Sequence, residues 1–322
     1  MKEQLRTEKW SVYLKQQDKR LRVITETDLK IKTGEIIGLI GESGCGKSVF
    51  WKSVLGLQNP AVWELEGNAW IRGEMVNFQN PEELRSMRGR EAAVILQDPM
   101  SSFDQVFTIE QHFWETAKAH TNWSRKETAE KAVELLRRLY IREPEQVLQM
   151  YPFQCSGGML QRIMIAIALM MEAAVLIADE LTTSVDVTVQ REILSMLKEL
   201  NQKQQTSILY ISHDLRAVES ISDYVYVMYA GYVVESFPVS RLKEENVRHP
   251  YTQKLLEARP SFTKKRLPVL QGRPPELMER QSGCPFAARC PMADEACKTF
   301  DMKKTAISEN HMVRCRKQEG LS

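Results

Sequence analysis

Four short apolar runs stand out along the chain, at residues 35–40, 92–96, 174–180 and 207–212. Each is bounded by polar or turn-forming residues, and each is too short for a typical helix. Such runs read as buried strands. Between them the pattern becomes helical. Residues 49–55 contain no Pro or Gly and follow a Gly-rich turn. Residues 105–150 are rich in Glu, Lys and Arg, with Glu134, Leu135, Leu136 and Leu139 in amphipathic spacing. A long apolar helix follows Ser156-Gly157-Gly158. Near the amino terminus, residues 10–33 carry alternating patches around Trp10, Tyr13, Leu21 and Ile24, the mark of strands in an antiparallel edge sheet. Residues 68–78 look like a hairpin. Buried strands with helices between them predict an α/β core carrying an antiparallel β edge and a helical insertion.

Composition narrows the partners more than the fold. The 322 residues have room for one large domain with an appendage, or for two medium ones. Lys and Arg total 44 against 42 Asp and Glu, so the net charge implies no nucleic acid or other polyanion. The longest apolar run, 163–171, is about half a membrane span. Residues 1–6 have no apolar core and are not expected to be a signal peptide. Any membrane role is therefore expected to come through a partner. Of the six cysteines, Cys45 and Cys155 stand alone, while Cys284, Cys290, Cys297 and Cys315 crowd the carboxyl end. Without an export signal, that crowd suggests a metal before disulfides.

The most informative stretch follows the first apolar run: Gly41-Glu42-Ser43-Gly44-Cys45-Gly46-Lys47-Ser48. Glycines let the backbone turn and aim its N–H groups at one centre, and the following helix adds positive potential, so polyphosphate is the natural ligand. Lys47 should reach the β- and γ-phosphates, and Ser48 should place its hydroxyl on Mg²⁺. The other runs end on matching chemistry. Gln97 at a strand end can ligate Mg²⁺ or position water, or be a solvated loop residue. Asp179 is suited to the Mg²⁺ water shell, and Glu180 can polarise an attacking water. Asp186 follows in a turn, and His213 ends the last run, where it could hydrogen-bond the γ-phosphate. Ser156-Gly157-Gly158 can bind an anion or be a plain N-cap. Tyr13 or Trp10 can stack on adenine or be half-buried strand aromatics.

In their order and rough spacing, the phosphate loop, Gln97, Ser156-Gly157-Gly158, Asp179-Glu180, Asp186 and His213 resemble an ABC-type ATPase. Glu42 and Ser43 in the loop, Gln97 to Ser102, and Ala178 to Thr183 resemble the nucleotide-binding subunits of the dipeptide/oligopeptide/nickel importer group. So do His249-Pro250-Tyr251, Gly272-Arg273-Pro274-Pro275 and the stretch from Gly283 to Cys290. The resemblance implies a P-loop core at 1–98 and 161–240, a helical signature subdomain at 99–160 and a Cys-containing C-terminal appendage at 241–322. It implies that ATP is held by Gly41, Ser43, Gly44, Cys45, Gly46, Lys47, Ser48, Val49, Gln97 and Tyr13, and by the facing subunit's counterpart of Ser156, Gly157 and Gly158. Glu180 is then the general base, aided by His213 and Lys47, with Mg²⁺ on Ser48, Gln97 and Asp179. Implied partners are a second, related ATPase subunit, two membrane permease subunits and an extracytoplasmic solute-binding protein. The implied place is the cytoplasmic face of the cell membrane. The solute is a peptide, with nickel or a chelated metal as the alternative. Rival readings are a soluble ABC-type ATPase of DNA repair or translation, and a mainly regulatory subunit that binds ATP but scarcely hydrolyses it. Cys155, Leu160, Leu181 and Ser184-Val185 depart from the usual pattern, and Leu160 is expected to weaken the signature offered to a partner's ATP.

The four C-terminal cysteines are separated by gaps of five, six and seventeen residues, with no Cys-x-x-Cys pair. Four thiolates can hold a 4Fe–4S cluster, as similar tails in dipeptide importer subunits do; zinc, or thiols without metal, are the alternatives. This tail is expected to fold apart from the phosphate loop.

Overall fold

The computed structural model of the protein describes residues 2–16, 19–181, 187–259, 270–280 and 282–318. Strands β1 (Glu3–Gln16), β2 (Lys19–Thr27), β3 (Lys30–Lys32) and β4 (Ile36–Ile40) lead to helix α1 (Lys47–Val54). Next come β5 (Trp63–Ile71), β6 (Glu74–Met75), α2 (Pro81–Arg90), β7 (Ala92–Ile95) and α3 (Pro99–Ser102). Helices α4 (Ile109–His120), α5 (Arg125–Arg138), α6 (Pro144–Gln149) and α7 (Gly157–Met170) precede β8 (Val175–Asp179) and α8 (Val187–Gln204). The chain continues through β9 (Ser207–Ser212), α9 (Leu215–Ile221), β10 (Tyr224–Tyr229), β11 (Tyr232–Pro238), α10 (Val239–Lys243) and α11 (Pro250–Glu257). It ends with β12 (Thr305–Ser308) and β13 (His311–Val313).

Two compact units result. One contains Met1–Leu5, Ile31–Glu35 and Trp70–Leu209; the other contains Arg6–Lys30, Ile36–Ala69 and Tyr210–Ser322.

In the first, helical unit, β7 and β8 run parallel, with Ala92 opposite Val175 and Ile95 opposite Ala178. Every residue of β8 is buried, which is why it reads as an unbroken apolar run instead of an alternating one. Helix α5 packs on α4, α6 and α7. Leu135, Leu136 and Leu139 are buried while Glu134 faces solvent, as the amphipathic spacing requires. Capping boxes start α4 (Thr108 with Gln111) and α5 (Ser124 with Glu127), satisfying N–H groups that the first turn leaves open. The expected hairpin is present: Trp70 pairs with Met75 across a turn at Arg72-Gly73.

In the second unit the strands lie in the order β5-β1-β2-β11-β10-β4. The amino-terminal strands β1 and β2 are antiparallel, with Tyr13 opposite Arg22 and Gln16 opposite Lys19. Strand β4 runs parallel to β10, with Ile37 opposite Tyr224. The carboxyl end joins this sheet: β13 pairs with β11, placing Val313 opposite Glu235. Glu235 is buried, and it accepts from Arg248 N (2.6 Å) and His249 N (3.0 Å) while bonding His311 Nε2 (2.8 Å). A buried carboxylate is tolerable only when so satisfied.

Among the described residues no helix is long and apolar enough to cross a membrane. The helix expected at 49–55 begins earlier, at Lys47, and closes at Val54.

Candidate functional site

In the second unit, fully buried β4 ends directly on the phosphate loop. Gly41 has φ +157°, and a Cβ there would lie 2.2 Å from Met228 O, so no side chain fits. Gly46, at φ +115°, caps α1 in the left-handed region that glycine enters without cost. Ser43, Gly44 and Ser48 are exposed, Val49 is half-buried, and Cys45 and Lys47 are buried. Lys47 Nζ donates to Gly41 O (2.8 Å) and Glu42 O (3.1 Å), folding its ammonium into its own loop. Burial pushes the Cys45 thiol up, with Lys47 opposing. Tyr13 is buried in β1; its hydroxyl donates to Glu66 (2.9 Å), and the Arg20 guanidinium lies 3.5 Å over its ring. His213 is exposed at the end of β9, next to Asp214, which caps α9 by accepting from Arg216 N (2.9 Å).

The helical unit holds the remaining candidates. Gln97, just past β7, donates through Nε2 to Glu180 Oε2 at 3.0 Å, so residues far apart in sequence meet as their strand ends predict. Asp179 is buried at the end of β8. Glu180 has φ +49°, a left-handed conformation costing a non-glycine residue about 1–3 kcal/mol and shared by ten other non-glycine residues among those described. Asp186, like Ser184-Val185, lies outside the described residues.

Ser156 caps α7, its Oγ accepting from Met159 N (3.3 Å). A Cβ built on Gly157 or Gly158 would meet nothing within 4 Å, so packing inside this chain does not demand glycine there. The departures look different in three dimensions. Leu160 is completely buried. Its side chain is part of the core of this chain and, unlike an Arg, brings no charge or hydrogen bond to the signature. Cys155 is buried as well, and the carbonyl of buried Leu181 accepts a hydrogen bond from Gln161 Nε2.

Cys284, Cys290, Cys297 and Cys315 all line one cavity of about 20 Å³ in the second unit. No disulfide links them; all are free thiols. Cys284 is pushed up to about 12, chiefly by burial, with the other three cysteines adding to the shift. Among the described residues no group of three or more His, Cys, Asp or Glu converges to hold a single metal ion. Expected independence of this tail is corrected. Between Cys284 and Cys290 lies Arg289, whose guanidinium bonds the Glu42 carboxylate of the phosphate loop at 2.6 and 3.0 Å. Sequence reasoning quoted Arg289 only as part of the Gly283–Cys290 stretch and gave it no role, because nothing in that stretch points to Glu42, 247 positions away.

The ABC transporter family profile matches residues 24–183, and the profile of the oligopeptide/dipeptide transporter C-terminal region matches 234–297. The chain is 35% identical over 313 residues to the dipeptide transport ATP-binding protein DppD of Escherichia coli (strain K12), covering 97% of this chain and 95% of that one. It is 39% identical over 291 residues to the oligopeptide transport ATP-binding protein AppD of Bacillus subtilis (strain 168), covering 89% and 88%. Among solved structures, the dimeric ATP-binding cassette MJ0796 in a post-hydrolysis state with ADP and Pi shares the fold. Its TM-score is 0.65 at 22% identity, over 73% of this chain and 98% of that one. This chain belongs to the ATP-binding, ATP-hydrolysing subunits of the dipeptide/oligopeptide ABC transporter family.

Proposed function

We propose that this subunit powers import of di- or oligopeptides through separate membrane subunits. The likeness to a dipeptide transport ATP-binding protein along 97% of the chain carries the reading. Membership of that family leaves a soluble repair or translation ATPase without support. ATP and Mg²⁺ come with the family, and motif order along the chain assigns the parts. Lys47 and the backbone from Gly41 through Val49 cradle the phosphates, while Ser48, Gln97 and Asp179 serve Mg²⁺. Glu180 orients the attacking water and His213 meets the γ-phosphate. For Tyr13 to stack on adenine, Arg20 has to give up the ring face it covers.

Ser156, Gly157 and Gly158 are proposed to close over the ATP of a second, related ATPase subunit. The open space around both glycines supports this, because it leaves their backbone N–H groups approachable. Residues 1–98 and 161–240 form the proposed ATP-binding core, 99–160 the helical subdomain and 241–322 the Cys-bearing appendage. Two permeases and an extracytoplasmic binding protein complete the machine, with this subunit peripheral on the cytoplasmic face.

All four thiols line one cavity, which supports a centre held by four cysteines. A 4Fe–4S cluster on Cys284, Cys290, Cys297 and Cys315 is the proposal. When bound, it supplies a rigid four-thiolate link and a redox-active centre.

The test is uptake in proteoliposomes containing both permeases, this chain and its partner ATPase, with loaded binding protein outside. ATP-dependent entry of labelled peptides and not of nickel is the expected result. Entry of nickel alone transfers the machine to the metal class, and no ATP-dependent entry of either overturns the reading.

A further inference from the structure

Two C-terminal motifs, around Tyr251 and between Cys284 and Cys290, have no part in the ATPase chemistry described so far. Both reach the phosphate loop, and both reach the same residue of it. The Arg289 side chain is only 4% exposed and pairs fork to fork with Glu42, Nη1 to Oε2 at 2.6 Å and Nη2 to Oε1 at 3.0 Å. Nη1 also donates to Tyr229 Oη (3.2 Å), and Nε donates to Gln271 O (3.0 Å). Tyr251 Oη accepts from Glu42 N at 2.9 Å. The rings of Tyr229, Tyr251 and Phe286 pack with centroids 4.6 to 5.4 Å apart, joining the cysteine-bearing turn to the end of β10 and to α11. Glu42 O in turn accepts from Lys47 Nζ at 3.1 Å. Glu42 is thereby tied at its N–H, its carboxylate and its carbonyl.

A planar guanidinium opposite a carboxylate fixes direction as well as distance, which a single hydrogen bond does not. We propose that Arg289 is a positioning residue for ATP binding, holding Glu42 and so the arc of loop before Lys47 in the shape that accepts polyphosphate. Arg289 touches no reacting atom. The inference rests on the reading that this loop binds the phosphates of ATP. It makes the cysteine-bearing segment a support of the nucleotide site, with its effect felt in affinity more than in turnover.

The full-length chain is titrated with ATP by calorimetry, and ATP KM and kcat are measured in the reconstituted transporter. Arg289→Ala and Glu42→Gln are each expected to raise Kd and KM by about three- to thirtyfold, with kcat at saturating ATP changed less than about twofold. Arg289→Lys, which keeps charge but loses the fork, should fall between. The double variant should bind no more weakly than the worse single one, since both remove one interaction. Unchanged KM in both single variants, multiplying effects in the double one, or a fall in kcat at constant KM overturns the proposal. If Arg289→Ala does not fold, Glu42→Gln decides alone, because it preserves side-chain size. Lys47→Ala separates the two levels. If it abolishes ATP binding while Glu42→Gln changes nothing, only the positioning role fails; if it leaves ATP binding intact, the loop reading fails too.

Discussion

Glu180 and the two signature glycines show what single positions are built for. Glu180 keeps a left-handed backbone and holds Gln97, whereas Gly157 and Gly158 have ordinary backbone and empty surroundings. Gly158→Ala should therefore leave the isolated chain intact, or raise its Tm slightly, since Ala is favoured over Gly in helices by about 0.5–1 kcal/mol. The same variant should lose ATPase activity in the assembled transporter, where a partner's nucleotide is proposed to approach. Differential scanning calorimetry beside an ATPase assay checks both halves; a large Tm loss, or full activity, contradicts the account. Gly41→Ala should behave in the opposite way. Its Cβ runs into Met228 O at 2.2 Å, so the isolated chain should lose several kcal/mol, about 3 or more, in a denaturant titration. Of these residues the sequence showed the glycines and the carboxylate plainly, because motif spacing ties them to a strand end and a helix start. It could not show the Arg289–Glu42 pair, whose partners are 247 positions apart with no pattern between them.

At the scale of elements, the legible parts were those whose burial is uniform. Strands β4, β8 and β9 are buried along their whole length, and each appeared as an apolar run. Strands β12 and β13 were not anticipated, because they are short and their pattern is mixed. Helix α4 supplies a pH test. His120 ends it, where the helix dipole favours a protonated imidazole. Burial, followed by the charges of Arg85 and Arg90, nevertheless lowers its pKa below the usual 6.5. The unfolded chain then binds the proton more readily than the folded one. The stabilising contribution is complete above about pH 6.5 and is lost as pH falls toward the folded pKa. Urea titrations at pH 7.5, 6.5 and 5.5 should show a flatter acid decline in His120→Gln than in the wild type; parallel declines contradict this. For the cysteine-bearing segment, anaerobic purification should yield roughly four iron and four sulfide per chain, reduced in Cys284→Ser. Zinc in place of iron, or no metal with free thiols, contradicts the cluster.

Taken as a whole molecule, the chain carries the residue types proposed for hydrolysis, and the glycines of the proposed signature, Gly157 and Gly158, stand in open space. Leu160, although buried, lacks the charge and hydrogen bonds of an Arg, so a weaker signature predicts unequal ATP sites in a paired assembly. Glu180→Gln should then cost more activity than the equivalent change in the partner ATPase. Equal losses contradict unequal sites. The central claim is that ATP hydrolysis on this chain drives the transporter, with Glu180 as the base. Its most direct test is ATP turnover by the reconstituted transporter carrying Glu180→Gln, measured with ATP binding to the same protein. The account predicts unchanged ATP binding and turnover reduced at least roughly 10²-fold, since a positioned base contributes about that much. Turnover near the wild-type rate contradicts it.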